Sequence, residues 1–334
     1  AEERSRAIAL HVSLRERGAT PEKHLNTLPL EAHLARSYSN CPNTPEGNNE
    51  RYHGKLGHIG GKVVGQTLKE AGIPHGEKLC FCEACAATKV KPHAHQSSGF
   101  QDEKWEPGEY IVADTIGPFS TSLGGGHYST TFTDKVSGYQ VSYETIGKVD
   151  IGDVVIKACQ EIRMLSGRNV RVLQMDGDGP FRSKVLQERL LKMGIRAQWS
   201  SPYDSRQNGT AENKFNTQVP DCCTVMKKAN APAFFWREAL EYVDFTRNNV
   251  LSRLWEGKWK SPYMILTGRV HPFDPRKMMP WGCRCVVQEP KKQRKGPKDF
   301  VQRRAWDGIF VGYGRRVGYG GAYRVWDPVN KGIR

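Results

Sequence analysis

No apolar run in this sequence approaches the ~20 residues that a membrane-spanning helix needs, and the chain opens without the basic stretch and short apolar core of a secretory leader. Neither a membrane partner nor secretion is expected, and the sequon Asn208-Gly209-Thr210 reads as coincidence. A Walker A sequence is missing, so the phosphate-cradling loop of a P-loop protein is not expected. GYGRRVGYGG (312–321) is rich in glycine but has neither the G-x-G-x-x-G order nor the strand-to-helix setting of a dinucleotide site. Nothing marks a nucleophile elbow. Asp176-Gly177-Asp178-Gly179 starts like a calcium loop, yet Phe181 stands at the sixth position, where an EF-hand needs glycine. Acid is scarce too. Against 50 Lys and Arg there are 35 Asp and Glu, a formal charge of +15 with a pI near 9.4. That balance fits a polyanion as partner, with a merely solvated basic surface as the alternative.

What is present is enough to fold. Hydrophobic residues make up 38% of 334, with 8 Trp, 12 Tyr and 12 Phe, which argues against wholesale disorder and for about two ordinary domains. The first residue is Ala, so a processed piece of a longer protein is expected. Cysteines number nine, an odd count, and seven of them cluster: Cys80, Cys82 and Cys85, then Cys222 and Cys223, then Cys283 and Cys285. An odd, clustered set fits a disulfide framework poorly and metal binding better. His53 and His58 stand in RYHGKLGH, Cys82 and Cys85 in CEAC, and between them Val63, Val64 and Leu68 recur at helical spacing before Gly72, a plausible cap. Two imidazoles and two thiolates make a tetrahedral set suited to Zn2+. Cys80 competes with Cys82 as a ligand, while His75, His93 and His95 read as solvated. An unmetallated cysteine pair with unrelated histidines is the plain alternative.

From residue 105 to about 250 the pattern is α/β. YIVADTIGP (110–118) is an apolar strand stopped by Gly-Pro; YSTTFTD (128–134) and YQVSYET (139–145) alternate and are rich in aromatic and β-branched residues. Ile151, Val154, Val155, Ala158, Ile162 and Leu165 then recur at helical spacing. VRVLQMD (170–176) is a fourth strand, Ser183 caps a helix ending near Gly194, and IRAQWS (195–200) is a fifth strand. A polar loop leads into a helix expected from about Thr210. The order β-β-β-α-β-α-β-α is that of a ribonuclease H-like fold. It puts Asp114 on the first strand, Asp176 at the end of the fourth, and Glu212 in the first turn of the helix after the fifth. Thirty-five residues separate Asp176 from Glu212. Asp178 is a rival second carboxylate. Acidic side chains converging from separate elements can hold two divalent cations roughly 4 Å apart for phosphodiester chemistry.

The remaining segments read as follows. Residues 1–50 form a lead-in and linker, 51–98 an HHCC zinc-binding module, 105–255 the catalytic core and 256–280 an irregular linker. A small basic β-barrel (281–334) is expected from the short strands RCVVQEP, DGIFVGY and AYRVWDP. A helix is expected within 231–249, and Pro220 is expected to break or kink the helix that carries Glu212. Cys222 and Cys223 read as buried or incidental. The basic run KKQRKGPK, with Lys291, Lys292, Arg294 and Lys295, suits phosphate contacts or is simply a solvated loop.

Over roughly residues 50–334 the chain resembles the integrase of copia-type long-terminal-repeat retrotransposons. RYHGKLGH with CEAC resembles that family's zinc-binding pre-integrase module, ADTIGP its first catalytic strand, MDGDGPF its second Asp motif, and SPYDSRQNGTAEN the motif of its Glu. FFWREAL, SPYMILTG, WGCRC, DGIFVGY and YRVWDP resemble its downstream landmarks. The resemblance implies that Asp114, Asp176 and Glu212 hold Mg2+ (or Mn2+). The nucleophile is then water in 3′-end trimming or a terminal 3′-hydroxyl in joining, and Arg206, Gln207, Asn208 and Lys214 steer DNA. It also implies a Gag-Pol-like polyprotein, DNA ends and target DNA as partners, a homo-oligomer, and an intracellular setting: a virus-like particle in the cytoplasm, and the nucleus. Two departures stand out: Gly177-Asp178 replaces the usual Asn-Gly after the second Asp, and Asn213 replaces a basic residue after the Glu. A degenerate or domesticated copy that binds DNA without cutting it, and a cut-and-paste transposase of the same fold, are the alternatives.

Overall fold

A computed structural model of the chain describes residues 44–77, 82–89, 104–147, 151–175, 179–199, 205–270, 274–289, 305–314 and 322–334; for 83, 179, 180 and 205–216 the description is of the backbone. All of these residues fall within one unit, 35–334. Residues 1–43 of the lead-in, Cys80, His93 and His95 lie outside the described residues.

The amino-terminal module is a pair of helices, α1 (Pro45–Lys55) and α2 (Gly61–Glu70), with a third, α3 (Glu83–Thr88), laid beyond them. Thr44 caps α1 by accepting from Gly47 N at 3.1 Å, and Pro45 sits in the first turn, where its missing N–H costs nothing. The first helix thus starts inside the stretch read as linker. In α2 Val64 and Leu68 are buried on one face, as their spacing requires, and Gly72 takes the left-handed conformation (φ +61°) that closes the helix.

The core is a five-stranded mixed sheet: β1 (Tyr110–Ile116), β2 (Tyr128–Asp134), β3 (Gln140–Thr145), β4 (Val172–Met175) and β5 (Arg196–Trp199). The order across it is β3-β2-β1-β4-β5, with β1–β2 and β2–β3 antiparallel and β1–β4 and β4–β5 parallel. This is the ribonuclease H-like arrangement expected from the element order. Its two faces differ because side chains alternate along a strand. Ile111, Ala113, Phe132, Val141, Leu173 and Met175 project onto the apolar face, where α4 (Ile151–Ser166) and α5 (Lys184–Lys192) bury Val155, Cys159, Ile162, Leu186 and Leu190. Ser183 caps α5, accepting from Leu186 N at 3.3 Å. Leu173, with no exposed surface at the centre of this layer, tests the packing. Leu173→Ala should cost about 2–5 kcal/mol in urea unfolding, and a loss below about 0.5 kcal/mol would mean the layer is not packed as described.

The opposite face carries a small apolar cluster of Tyr110, Val112 and Val172 and is otherwise polar around Asp114, Thr131 and Ser142, where α6 (Ser205–Lys228) lies on it. Two expectations change here. The helix begins at Ser205, five residues before Thr210, and it continues through Pro220. An interior proline costs ~3 kcal/mol in an isolated helix. Here Gln218, Asp221, Thr224 and Val225 are all buried around it, and Thr224 Oγ1 returns a hydrogen bond to Pro220 O at 2.6 Å. Tertiary contacts on both sides of the proline outweigh the local cost. Of the cysteine pair on α6, Cys222 is buried and Cys223 exposed.

After α7 (Trp236–Asn249) the described part of the segment read as irregular contains regular elements. A hairpin, β6 (Arg253–Trp255) and β7 (Lys258–Lys260), turns on Glu256 and Gly257, both at positive φ (+50° and +73°), the pair of conformations a two-residue hairpin requires. Then α8 (Pro262–Thr267) starts on Ser261, whose hydroxyl accepts from Met264 N at 3.2 Å.

The last segment is a meander of β8 (Arg284–Gln288), β9 (Ala305–Tyr313), β10 (Tyr323–Asp327) and β11 (Gly332–Ile333). Among the described residues its ladder stays open, with β8 and β11 at its edges, where a small barrel was expected. It docks on the core through aromatic contacts, Phe235 with Trp326 (5.3 Å between centroids) and Phe245 with Tyr313 (4.4 Å). Charge joins them as well. Glu238 on α7 is 1% exposed and meets Arg237 (3.3 Å) and Arg324 of β10 (3.2 Å). Burial raises the Glu238 carboxyl above its ordinary 4.5, against the opposing pull of Arg237 and then Arg324. A raised folded value means that this group's contribution falls as pH climbs through the window above 4.5. Arg324→Met should deepen that fall, at about 1–3 kcal/mol at neutral pH. Urea unfolding at acid and neutral pH would show it, and equal losses at both would contradict it.

Candidate functional site

Two groups of predicted residues fare differently. The His/Cys set is assembled in full. His53 stands in the last turn of α1, His58 just beyond it, Cys82 at the N-cap of α3 and Cys85 within that helix. One ligand atom from each of the four lies within 4.8 Å of the others. The individual approaches are His53 Nε2 to Cys85 Sγ at 3.3 Å, and His58 Nδ1 to Cys82 Sγ at 3.4 Å and to Cys85 Sγ at 3.6 Å. A tetrahedral Zn2+ with bonds of 2.0–2.3 Å sets its ligand atoms about 3.3–3.8 Å apart. The donor set therefore fits a zinc-sized ion in both type and spacing.

Local structure explains why these atoms meet. Gly57 (φ +68°) and His58 (φ +59°) are both left-handed, a conformation a non-glycine residue adopts at a cost. His58 N donates to His53 O at 2.8 Å, folding the chain back so that the two rings stand edge to face, 4.7 Å apart. His53 Nδ1 donates to the Ile59 carbonyl at 3.0 Å, which leaves Nε2 as the donor atom facing the thiols. Burial holds the His58 imidazolium below its ordinary pKa, so the neutral, ligating form is favoured. Within the thiol pair, the hydrogen bond from Cys85 lowers Cys82 well below an ordinary thiol, with help from His53 and His58; the same bond, and burial, raise Cys85.

The carboxylates are reached only in part. Asp114 lies on β1, half-buried, and its Oδ1 accepts from Thr115 N at 2.8 Å. Its antiparallel partner is Thr131 of β2, so both side chains stand on the polar face. Thr131 Oγ1 in turn donates to Gln218 Oε1 of α6 at 3.3 Å, and Gln218 Nε2 donates to Ser142 Oγ at 3.1 Å. The helix that carries Glu212 is thus seated on the same face as Asp114. Ala113 of β1 is paired with Met175, the last described residue of β4. Asp176 and its rival Asp178 lie outside the described residues, as do Lys291, Lys292, Arg294 and Lys295. Glu212, Arg206, Gln207, Asn208 and Lys214 are placed on the backbone of α6, and their side chains lie outside the description.

Sequence reasoning missed several residues that hold this arrangement. Gln218 and Asp244 form a buried hydrogen bond between α6 and α7, and Gln140 Nε2 donates to the same Asp244 Oδ1 at 2.6 Å. Lys89, four residues beyond Cys85, donates to the His58 carbonyl. None belongs to a motif with a recognisable spacing, so no local signal exposed them.

A ribonuclease H-like sheet with a His2Cys2 group whose donor atoms could hold a metal ion is the class these features define. The chain is related in sequence to copia-type retrotransposon Pol polyproteins. It is 27% identical over 285 residues to the Retrovirus-related Pol polyprotein from transposon TNT 1-94 of Nicotiana tabacum, covering 84% of this chain and 20% of that protein. It is 25% identical over 215 residues to the Transposon Ty1-DR6 Gag-Pol polyprotein of Saccharomyces cerevisiae, covering 60% of this chain and 12% of that one. The chain therefore spans a fifth or less of the length of these curated relatives. Among solved structures, a simian T-cell lymphotropic virus intasome in complex with PP2A regulatory subunit B56 gamma aligns with 71% of this chain and 83% of its own, at 14% identity and a TM-score of 0.42. No family model matches the chain.

Proposed function

We propose that the chain is the integrase segment of a copia-type Gag-Pol polyprotein, trimming the 3′ ends of element DNA and joining them to target DNA. The observation that carries this reading is the seating of α6, the helix bearing Glu212, on the sheet face that presents Asp114, through Gln218 and Thr131. Asp114, Asp176 and Glu212 would hold Mg2+ or Mn2+, with Asp178 the rival for the middle position. Bound there, such cations would supply charge stabilisation at the attacking and leaving oxygens of an in-line displacement. The protein's own share is to position the DNA. Arg206, Gln207, Asn208 and Lys214 on α6, with Lys291, Lys292, Arg294 and Lys295 further on, contact phosphates, which makes binding sequence-tolerant and salt-sensitive. The net charge of +15 supports that role. His53, His58, Cys82 and Cys85 take Zn2+ as a structural ion, since four protein ligands leave no open position. Two DNA ends must be joined together, so a multimer is the working form, acting in a virus-like particle in the cytoplasm and in the nucleus.

The test is a joining assay with the whole chain, Mg2+ and blunt DNA ends carrying the element's terminal sequence. Joined product that disappears in Glu212→Gln while DNA binding persists supports the reading. DNA binding with no joining in the parent chain would mark a copy that binds without cutting, and cleavage of both strands at the element ends would mark a cut-and-paste transposase.

A further inference from the structure

The zinc module and α6 meet through two side-chain pairs, Lys89–Asp221 and Thr88–Thr224. Lys89, which follows α3, donates its ammonium to the carbonyl of the ligand residue His58 and forms an ion pair with Asp221 on α6. Asp221 is almost wholly buried, its carboxylate 4% exposed, and its other oxygen accepts from Arg247 Nε of α7 at 2.9 Å. Arg247 Nη1 reaches back to Thr217 Oγ1, one turn earlier on α6, at 3.0 Å. Beside this cluster the hydroxyls of Thr88 and Thr224 hydrogen-bond, a second tie between α3 and α6. A cleft of about 410 Å3 adjoins it, lined by Lys89, Asp221, Arg247 and Arg253 among others. Its cations already face carboxylates, Lys89 and Arg247 on Asp221, and Arg253 beside Asp134. It is therefore a poor anion site, and the cluster is better explained as a joint.

We infer that Lys89 and Asp221 are positioning residues that couple metal occupancy of the His2Cys2 centre to the order of α6, the helix carrying Glu212. Three facts make the coupling physical. The His58 carbonyl that Lys89 holds belongs to a ligand in a strained left-handed conformation, so its orientation depends on what the imidazole is bound to. Cys85 and Lys89 are joined by a helical hydrogen bond, Lys89 N to Cys85 O at 2.8 Å, so movement of the thiolate moves the lysine backbone. Asp221 is 4% exposed, so when Lys89 withdraws the buried carboxylate keeps Arg247 as its one ionic partner and α6 loses its charged tie to the module. By linkage the effect is reciprocal: whatever the ion does for α6, an ordered α6 does for ion affinity. This inference rests on the metal centre proposed above but on no catalytic step.

The experiment uses the whole chain, with zinc itself as the probe. Zinc affinity is measured by competition with a chromophoric chelator for the parent, Lys89→Met, Asp221→Asn and the double variant, and amide exchange across α6 is followed with and without zinc. The parent is expected to show about tenfold faster exchange over α6 once zinc is removed. Each single variant is expected to bind zinc about tenfold more weakly, to lose the zinc response of α6, and to be no better than the double variant. Lys89→Met guards against the chance that Asp221→Asn, with Arg247 left facing an amide, fails to fold. Zinc binding with α6 exchange unchanged by metal, or losses that simply add in the double variant, would overturn the coupling while leaving the metal centre standing. Absence of zinc binding in the parent would remove both.

Discussion

Cys85→Ser should release zinc. A serine hydroxyl stays protonated at neutral pH and cannot replace a thiolate, so affinity should drop by more than about 100-fold, beyond what altering an outer-shell partner causes. The consequence for the fold should be large because the module has little else. Among the described residues its buried apolar side chains are Tyr52, Leu56, Ile59, Val64, Leu68 and Ile73, and α3 has six residues. A structural zinc contributes on the order of 10–16 kcal/mol to such modules when they stand alone. Here the module also leans on the core, where Tyr242 Oη donates to the Lys55 carbonyl at 2.5 Å and Lys89 pairs with Asp221. The ribonuclease H-like sheet should therefore survive. Zinc content per chain, followed by thermal unfolding of loaded and chelator-treated protein, measures both parts. Unchanged zinc content in Cys85→Ser would dismiss the proposed ligand set and bring Cys80 forward.

The second large effect is expected from Glu212→Gln. The substitution keeps size and helix propensity and removes only the charge, so α6 should remain on its face of the sheet, anchored by Gln218. As the proposed ligand of cations that offset charge in the transition state, Glu212 is expected to be worth about 4 kcal/mol, roughly 1000-fold in joining rate. Affinity for DNA should hold or rise slightly, since one negative charge leaves a surface that meets phosphates. Asp114→Asn should behave alike, and Asp176→Asn against Asp178→Asn decides which aspartate is the middle carboxylate. Equal joining by the parent and Glu212→Gln would end the case for this triad.

How much of this could be read beforehand depended on whether the signal was local. The apolar run of β1, the alternation in β2 and β3 and the 3.6-residue recurrence in α4 are properties of neighbours in sequence, and all four elements formed where expected. The same holds for the His/Cys spacing around α2. Pro220 misled because its cost is local while its compensation, the burial of Gln218, Asp221 and Thr224, comes from other elements. The turn at Glu256-Gly257 and the Ser261-Pro262 cap were local signals that went unused in a stretch read as irregular.

By itself the sequence determined the composition of the two candidate sites: which carboxylates, imidazoles and thiolates the chain owns, and the periodicities that assign them to expected strand ends and helices. Tertiary structure alone decided that Asp114 and α6 share one face of the sheet, that His53 and His58 turn towards the same thiols, and that Lys89 joins that centre to Asp221 across 131 intervening positions. The reason is physical. Side-chain periodicity is dictated by backbone geometry within a few residues, whereas the pairing of distant charges depends on how the apolar faces pack, and many partners in a sequence with 50 basic and 35 acidic residues would satisfy charge alone.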